Sequence, residues 1–361
     1  MKIAMVDPAA FTLPYDTDLC RSLAQEGHDV TLFTTRFAHG NMPKADGFQM
    51  VEWFYRRNVP GVSRRVSRGL QHPFDMRRLR KHILAEGFDI AHVQWSVIDR
   101  VDVPIWKSLP IPVVFTAHNS VGRTSDALSA DNLRVFDAVV AHSAFGADGL
   151  RSLGLPEVWQ IGMGTFDDYR DMGAPDVLPV NLGEGPVVSL TGLLRPYKGV
   201  DTLLEAWPHV VDRIPDAQLV IAGRPMGVEL PATPPAGVHV VPRFLDDAEY
   251  AWVLKRSDIV CLPYTAIDLS GVLFSALTVG TPVVLSDVGG FGEFVGHGAE
   301  LVPPRQPAAL AETLCNLLER PERLQELSTQ ATTAAREHYS WPAIASSYTR
   351  HYTTLLAAER T

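Results

Sequence analysis

PVVSLTGLLRPYKGVDTLLEAW, residues 186–207, contains three kinds of sequence in succession. Residues 186–192 form a short apolar run bounded by Pro and Gly, which is typical of a buried strand. From Val200 onward, apolar residues recur with the spacing of an amphipathic helix. Between the two lies a polar loop at 193–199. A strand, a loop and a helix in this order indicate one unit of an α/β fold with a parallel sheet.

The same alternation of apolar strands and helices runs through both halves of the chain. In the first half, strands are predicted at 2–6, 29–34, 89–95, 112–118, 138–143 and 158–164. In the second half, they are predicted at 186–192, 217–223, 238–244, 258–263 and 282–287. We therefore expect two doubly wound, Rossmann-like domains facing a central cleft. The first covers 1–165 and is completed by a C-terminal helix at 341–361, the second covers 186–340, and a Pro-, Gly- and Asp-rich linker at 166–185 joins them.

Length and composition fit a folded protein of two domains. The chain has 361 residues, of which 46% are hydrophobic and 20% charged, and its formal net charge of −9 argues against bulk nucleic-acid binding. It starts without a signal-peptide pattern and has no 18-residue apolar segment, so we predict a cytoplasmic location. Cys20, Cys261 and Cys315 lie far apart and are predicted to be buried thiols.

A basic span covers residues 56–81. Its only acid is Asp75, whereas its basic residues are Arg56, Arg57, Arg64, Arg65, Arg68, Arg77, Arg78, Arg80 and Lys81. Two interpretations stay open at this point. The span is a solvated helix and loop surface, or it attracts an anionic lipid surface or an anionic acceptor.

The loop at 193–199, called the cation loop below, places Arg195 and Lys198 beside the start of a helix. Helix N-termini attract anions, and two cations at that point could neutralise much of a diphosphate without a metal ion. Gly199 allows a close backbone approach, and we expect Lys198 to be an exposed loop cation. The alternative is an ordinary surface turn with two solvated cations.

A second candidate anion site follows the strand at 258–263. The sequence continues through Asp268, Ser270 and Gly271 into an apolar helix. Ser270 is a residue type that caps helices, which is a purely structural explanation for it. Gly271 in the first turn would expose backbone N–H groups, so the loop is also a candidate anion cradle.

Several segments together resemble the retaining glycosyltransferases of family 4, which have the GT-B fold. The resemblance lies in GLLRPYKGVDTLLEAW, LVIAG, ALTVGTPVVLSDVGG, AELVPP and SWPAIASSY, and in the first half in LAQEGHDVTLFT, VVFTAHNS and AVVAHSAFGADGL. It implies a C-terminal domain that binds a nucleoside diphosphate sugar, UDP- or GDP-linked. It further implies an N-terminal domain that shapes the acceptor site, retention of anomeric configuration, and no metal ion or other cofactor.

The resemblance also assigns residues. Lys198 takes the place of the diphosphate lysine and His118 that of the histidine near the reacting sugar, with Arg195 and Asp268 as further catalytic candidates. The expected donor-binding residues are Gly192, Arg195, Lys198, Gly223, Arg224, Phe244, Asp268, Ser270, Gly271, Val272 and Ser275, with the base near Gly223, Arg224 and Phe244. The expected acceptor-side residues are Phe11, Thr12, Trp95, His118 and Asn119.

The sequence departs from the family pattern at four places. Leu193 stands where the family has its arginine, and Arg195 lies two residues on. The paired glutamates are replaced by Ile267 and Ser275. IGMG at 161–164 and DPAAFTLPY at 7–15 also differ, the latter because it lacks a glycine pair.

We therefore predict a metal-independent hexosyltransferase that acts on small molecules, with possible contact between the basic span and an anionic membrane. Alternatives are a sugar-nucleotide epimerase or a phosphorylase on the same fold, or a non-catalytic relative that binds a sugar nucleotide or a partner. Asp16-Thr17-Asp18 spells a metal-binding pattern of a different glycosyltransferase fold, but it precedes a helix, where acids cap the N-terminus.

Overall fold

The protein is described by a computed structural model that covers residues 1–37, 42–57, 61–118, 128–155 and 157–358. These residues divide into two compact units. The first comprises Met1–Gly164 and Trp341–Thr361, and the second comprises Thr165–Ser340. Each unit is an α/β structure around its own sheet.

In the first unit the described residues form seven parallel strands in the spatial order 3-2-1-4-5-6-7. The strands are β1 (Lys2–Asp7), β2 (Asp29–Thr34), β3 (Gln49–Glu52), β4 (Ile90–Val93), β5 (Val113–Thr116), β6 (Ala138–Ala141) and β7 (Val158–Gln160). The helices between them are α1 (Leu13–Gln25), α2 (Arg64–Glu86), α3 (Asp99–Lys107), α4 (Ala130–Leu133) and α5 (Ala144–Ser152).

In the second unit the described residues form six parallel strands in the order 10-9-8-11-12-13. The strands are β8 (Val187–Thr191), β9 (Gln218–Ala222), β10 (Val238–Val241), β11 (Ile259–Leu262), β12 (Val283–Ser286) and β13 (Ala299–Val302). The helices are α6 (Asp168–Asp171), α7 (Val200–Arg213), α8 (Asp247–Arg256), α9 (Gly271–Val279), α10 (Pro307–Leu318) and α11 (Pro321–Glu337), with 3-10 turns at Pro196–Lys198 and Gly289–Phe294.

The last helix, α12 (Trp341–Ala358), returns to the first unit. Its buried face includes Tyr348 and Tyr352. The Tyr352 hydroxyl lies 2.5 Å from His92 Nδ1 in β4, and the Tyr348 hydroxyl lies 3.3 Å from that of Tyr15 in α1. These buried contacts fix the helix on one face of the first sheet.

The central strands are apolar throughout because helices cover both faces of each sheet. Every residue of β4, β8 and β11 is buried. The strand order reverses beside β1 in the first sheet and beside β8 in the second. Ligands of doubly wound folds bind outside the carboxyl ends of the strands at such a reversal, so the loops after β1, β4, β8 and β11 are the places to look for a site.

The doubly wound architecture predicted from the sequence is confirmed, and each predicted strand is present. The sequence did not predict β3 or β13, both short strands at a sheet edge. The segment predicted as a linker contains α6 and packs on the second unit. Lys255 donates hydrogen bonds to the carbonyl oxygens of Arg170 and Met172, at 2.8 and 2.7 Å.

Within the described residues no helix has the length and apolarity required to cross a membrane.

Candidate active site

The cation loop leaves the carboxyl end of β8 and turns back over it. Lys198 was expected to be exposed, and this expectation was wrong, because only 5% of the residue is accessible. The 3-10 turn at Pro196–Lys198 directs the side chain inward, and Gly199, in the left-handed region at φ 67°, connects the turn to α7. The Lys198 Nζ donates to the Thr191 carbonyl oxygen at 3.1 Å and lies 5.0 Å from the centroid of the Tyr264 ring.

The positive charge of this loop is not neutralised by a carboxylate in the described part of the chain. Burial, with a smaller contribution from Arg195, lowers the pKa of Lys198 to about 8. Arg195 is half-buried, and its Nε is a buried donor without an acceptor among the described residues. Buried polar groups are ordinarily paired, so an unpaired donor beside a desolvated ammonium indicates a site for an anion.

Two glycines allow the backbone to close tightly at this point. Gly192 has φ 96°, and a Cβ there would lie 3.0 Å from the Lys198 Nζ. Gly223, at the end of β9, has φ 149°, and its Cβ would lie 1.8 Å from the carbonyl oxygen of Gly192. Both positions therefore require glycine, and together they bring the β8 and β9 loops into contact.

A pocket of about 270 Å³ opens beside these glycines. Six of the residues predicted to bind the donor line this pocket: Gly192, Gly223, Arg224, Phe244, Gly271 and Ser275. Phe244, predicted to lie near the base, is 50% exposed. The predicted residues Arg195, Lys198, Asp268, Ser270 and Val272 do not line the pocket. Lys198 and Val272 nevertheless lie against Gly192, since their side chains are the nearest neighbours of a Cβ placed there.

The sequence analysis missed two tyrosines of this pocket. Tyr169, in the segment predicted as a linker, packs edge to face on Tyr250 of α8 with centroids 5.4 Å apart. The Tyr169 hydroxyl donates to Asp247 Oδ1 at 3.4 Å. Burial raises the pKa of Tyr250 to about 12, and the Ser275 hydroxyl lies beside it. The only sequence signal was the position of Tyr250 one turn into a helix that follows a strand.

The second predicted anion cradle lies at the start of α9. Ser270 occupies the N-cap position, but its side chain makes no capping hydrogen bond, so the expected side-chain cap is not formed. Its hydroxyl lies 3.4 Å from that of Tyr264 instead. Ser275 donates to the Gly271 carbonyl oxygen at 3.0 Å. The Asp268 carbonyl oxygen accepts a hydrogen bond from the Gly290 amide at 3.0 Å, which ties this loop to the turn after β12.

In the first unit, four of the predicted acceptor-side residues come together. The rings of Trp95 and His118 are stacked, with centroids 4.9 Å apart and planes inclined by 13°. Phe11 packs edge to face on Trp95 at 5.3 Å, and the Trp95 Nε1 donates to the Thr12 hydroxyl at 2.9 Å. Asn119, the fifth predicted residue, lies outside the described residues.

His118 belongs to a hydrogen-bonded chain that the sequence analysis did not identify. Its Nε2 lies 3.0 Å from Gln94 Oε1, and its Nδ1 lies 3.3 Å from His142 Nε2. Burial, with smaller effects of His142 and His92, holds the pKa of His118 well below its ordinary value. Burial likewise lowers the pKa of His142 to about 4. His118 is therefore neutral near pH 7 and presents an uncharged imidazole.

Asp16 does not cap α1, and that expectation was wrong. Asp16 and Asp7 are completely buried and face one another. Burial raises the pKa of both, and the charge of Asp7 adds to the effect on Asp16. The Oδ1 atom of Asp7 accepts hydrogen bonds from the Ala9 and Ala10 amides, each at 2.9 Å. This pair thus anchors the loop that carries Phe11 and Thr12.

Comparisons with known proteins agree with this geometry. The family model described as "Glycosyltransferase Family 4" matches residues 17–164, and the model described as "Glycosyl transferases group 1" matches residues 185–320. A phosphatidyl-myo-inositol mannosyltransferase of Mycobacterium tuberculosis is 29% identical over 98% of this chain and 97% of its own length. A D-inositol 3-phosphate glycosyltransferase of Corynebacterium glutamicum is 33% identical over 48% of this chain and 44% of its own length.

The fold is also found in solved structures. The Anabaena protein HepE, solved with UDP-glucose, aligns with a TM-score of 0.70 at 16% identity, over 98% of this chain and 100% of that one. The two family models together cover most of this chain. The chain therefore belongs to glycosyltransferase family 4 and is an enzyme of the hexosyltransferase type.

Proposed function

We propose that this protein transfers a sugar from a nucleoside diphosphate donor to a small-molecule acceptor, with retention of anomeric configuration and without a metal ion. The observation that carries the proposal is the buried Lys198 ammonium, which has no carboxylate partner among the described residues. A diphosphate supplies the negative charge that this site lacks. The relative from Anabaena, whose structure contains UDP-glucose, supports the class of donor.

The proposed chemistry assigns a role to each part of the donor site. A bond forms between an acceptor oxygen and the anomeric carbon, the bond from that carbon to the diphosphate breaks, and the acceptor proton passes to the departing phosphate. Negative charge grows on the diphosphate during this step. Lys198, Arg195 and the amides at the start of α9 would stabilise that charge, which is the kind of interaction that lowers a barrier.

The pocket beside the cation loop would hold the nucleoside. The exposed Phe244 ring offers a surface on which a base can stack, and Tyr250 and Ser275 offer hydroxyls at the position where the family glutamate is missing. Asp268 and His118 remain the candidates for contacts with sugar hydroxyls. A neutral His118 can donate one hydrogen bond and accept one, which suits a hydroxyl.

The basic span at 56–81 is the observation that favours a negatively charged acceptor or a negatively charged surface as a binding partner. Along α2 the apolar residues Val66, Leu70 and Phe74 follow one another at intervals of four and are 51%, 58% and 70% exposed. An exposed apolar stripe on a helix rich in arginine is typical of a helix that lies on an anionic membrane. We propose that α2 makes such a contact.

The identity of the donor nucleotide is tested by thermal shift with UDP, GDP, ADP and TDP sugars. A ligand that binds the native protein raises the melting temperature of the protein by mass action. One nucleotide should raise the melting temperature of the wild type, and EDTA should not change this. Lys198→Ala should lose the shift and turnover, whereas Arg336→Ala, an exposed cation of α11, should keep both. A Lys198→Ala variant with unchanged turnover, or strict dependence on added magnesium, would contradict the proposal.

A further inference from the structure

The imidazoles of His118 and His142 form one hydrogen-bonded chain at the carboxyl edge of the first sheet. His118 follows β5 and His142 follows β6, and the His118 Nδ1 lies 3.3 Å from the His142 Nε2. At one end of the chain, the His142 Nδ1 lies 3.0 Å from the Ile161 carbonyl oxygen. At the other end, the side-chain amide of Gln94 lies 3.0 Å from the His118 Nε2. All four ring nitrogens thus have a partner inside the first unit.

The surrounding aromatic rings hold both imidazoles in place. Trp95 is stacked on His118. The buried Tyr15 ring packs edge to face on both histidines, with centroids 5.5 Å from that of His118 and 5.4 Å from that of His142. Because the rings are fixed, their hydrogen-bond partners decide which nitrogen of each ring carries the hydrogen.

The three links of this chain need three hydrogens, but two neutral imidazoles supply only two. Burial keeps the pKa of both histidines low, and no carboxylate of the described residues pairs with either ring, so both are neutral near pH 7. The Ile161 carbonyl oxygen can only accept, so the hydrogen of His142 lies on Nδ1 and its Nε2 is an acceptor. The Nδ1 of His118 must therefore donate to His142. The third hydrogen has to come from Gln94.

The Gln94 amide can supply this hydrogen from its NH₂ group. The two ends of the amide have nearly the same shape, so hydrogen bonding decides which end faces His118. The oxygen in that place would set two acceptors 3.0 Å apart and aim the nitrogen at the Met5 sulfur, a weak acceptor, also at 3.0 Å. With the nitrogen toward His118, the amide donates to a ring nitrogen. Its oxygen then lies 3.4 Å from the His92 Nε2, from which it can accept.

We infer that His142 and Gln94 are positioning residues that hold His118 as the tautomer with its hydrogen on Nδ1. The N–H of His118 is then used inside the first unit, and a ligand meets only the lone pair of Nε2. His118 accepts a hydrogen bond from a substrate hydroxyl, in competition with the Gln94 amide, and donates none. This functional half of the inference rests on the sugar transfer proposed above and narrows the role of His118 in it.

The tautomer is measured on the full chain without a ligand, labelled with ¹⁵N-histidine, by long-range proton–nitrogen NMR at pH 7. His118 should carry a hydrogen on Nδ1 and none on Nε2. His142→Phe keeps an aromatic ring but removes the acceptor, so the tautomer ratio of His118 should shift about tenfold toward the Nε2–H form. His142→Gln should keep the tautomer of the wild type, because its amide can accept from His118 and donate to Ile161.

His82→Phe is the matched control. His82 belongs to α2, stacks on Trp53 and lies outside the chain, so this change should leave the His118 signals as they are. A hydrogen on the His118 Nε2 of the wild type at pH 7 would overturn the inference. A wild-type tautomer ratio in folded His142→Phe would do the same. The wild-type spectrum needs no variant, so the inference can be tested even if His142→Phe does not fold.

The functional half is tested by turnover, measured as release of nucleoside diphosphate from the donor that thermal shift identifies. His142→Phe should lower kcat/KM for this donor about tenfold, whereas His142→Gln and His82→Phe should stay within about threefold. Equal turnover by the wild type and His142→Phe, with the tautomer shifted as expected, would refute the acceptor role of His118. A wild type without turnover would contradict the sugar transfer instead, and the NMR result, obtained without a ligand, is independent of it.

Discussion

The indole of Trp95 lies flat against the imidazole of His118, with ring centroids 4.9 Å apart. One ring follows β4 and the other follows β5, so neighbouring strands bring together two residues that are far apart in the sequence. The contact also shields His118 from water. Burial is the main reason why the pKa of His118 is low, and Trp95 contributes to that burial directly.

Trp95→Ala should therefore raise the pKa of His118 toward the ordinary histidine value of about 6.5. Water that enters the space of the indole stabilises the imidazolium form. The measurement is a pH titration of the histidine ring nitrogens by NMR. Phe74→Ala, which removes an aromatic ring from the exposed face of α2, should leave the titration of His118 unchanged. A low pKa that persists in Trp95→Ala would assign the effect to His142 and His92 instead.

Lys198 provides a test in which losing a functional residue stabilises the protein. Its lowered pKa of about 8 means that the folded chain binds this proton more weakly than the unfolded chain, whose lysine titrates near 10.5. The charged Lys198 therefore lowers the free energy of unfolding, by the full amount below pH 8. This loss diminishes as the pH rises from about 8 to 10.5, because the lysine of the unfolded chain then also loses its proton. Lys198→Met keeps the stem and removes the charge.

We expect Lys198→Met to raise the free energy of unfolding by roughly 1–3 kcal/mol at pH 7, and to lose this advantage by about pH 10.5. Urea unfolding at both pH values, in a buffer without phosphate or other multivalent anions, measures it. Lys107→Met, at an exposed lysine of α3, should change stability by less than about 0.5 kcal/mol. A destabilised Lys198→Met would show that the ammonium contributes to the fold through contacts such as that with Thr191.

The sequence was sufficient to predict the fold because its signals are local and repeated. Apolar runs such as 217–223, many of them bounded by Gly or Pro, define the strands, and the amphipathic helices between them favour a parallel sheet. Short edge strands have no such signal. β3, with the sequence QMVE, is partly exposed and has no apolar run.

Site residues at the strand ends could be predicted for the same reason. His118, Trp95 and Gly192 each follow an apolar run, and topology brings such positions together. Contacts made by residues inside helices could not be predicted in this way. The burial of Asp16 against Asp7, and of Lys198 beneath its own loop, depends on packing that neither residue type favours. Local sequence therefore predicted the opposite for both.

The close approach of Gly223 to Gly192 can be tested separately from backbone strain. Gly223→Ala places a Cβ 1.8 Å from a carbonyl oxygen, so the β8 and β9 loops must separate. Gly227 also has a positive φ, 79° against 149° at Gly223, but a Cβ at Gly227 meets nothing nearer than 3.7 Å. We expect a loss of about 1 kcal/mol at Gly227, the cost of the left-handed conformation alone, and of at least about 3 kcal/mol at Gly223.

Urea unfolding measures the two losses, and thermal shift with the preferred nucleotide measures the effect on the donor site. Gly223→Ala should lose the nucleotide response while it is still folded, because the residue lies on the pocket wall. Gly227→Ala should retain the response. Equal losses of stability in the two variants would mean that the loops move apart at little cost.

The Asp7–Asp16 pair makes the stability of the first unit depend on pH. Its raised pKa values mean that the folded chain keeps a proton that the unfolded chain releases above the ordinary aspartate pKa of 3.8. The stabilisation is therefore complete below about pH 4 and is lost as the pH rises through the folded pKa, with a slope of about 1.4 kcal/mol per pH unit for one proton. Asp16→Asn removes this proton, while its amide can still donate to the buried oxygen of Asp7.

We expect Asp16→Asn to be more stable than the wild type at pH 7 and to show a flatter stability profile between pH 4 and 7. Asp18→Asn is the matched control on the same helix, because Asp18 is only partly buried and forms an ion pair with Arg21 at 2.5 Å. Asp18→Asn should lower the free energy of unfolding by at most about 1 kcal/mol, and its free energy of unfolding should change with pH as steeply as that of the wild type. Urea unfolding across this pH range measures all three proteins. A slope that survives in Asp16→Asn would show that the two carboxyl groups do not share a proton, and the anchoring of the 8–12 loop would then depend only on the Ala9 and Ala10 amides.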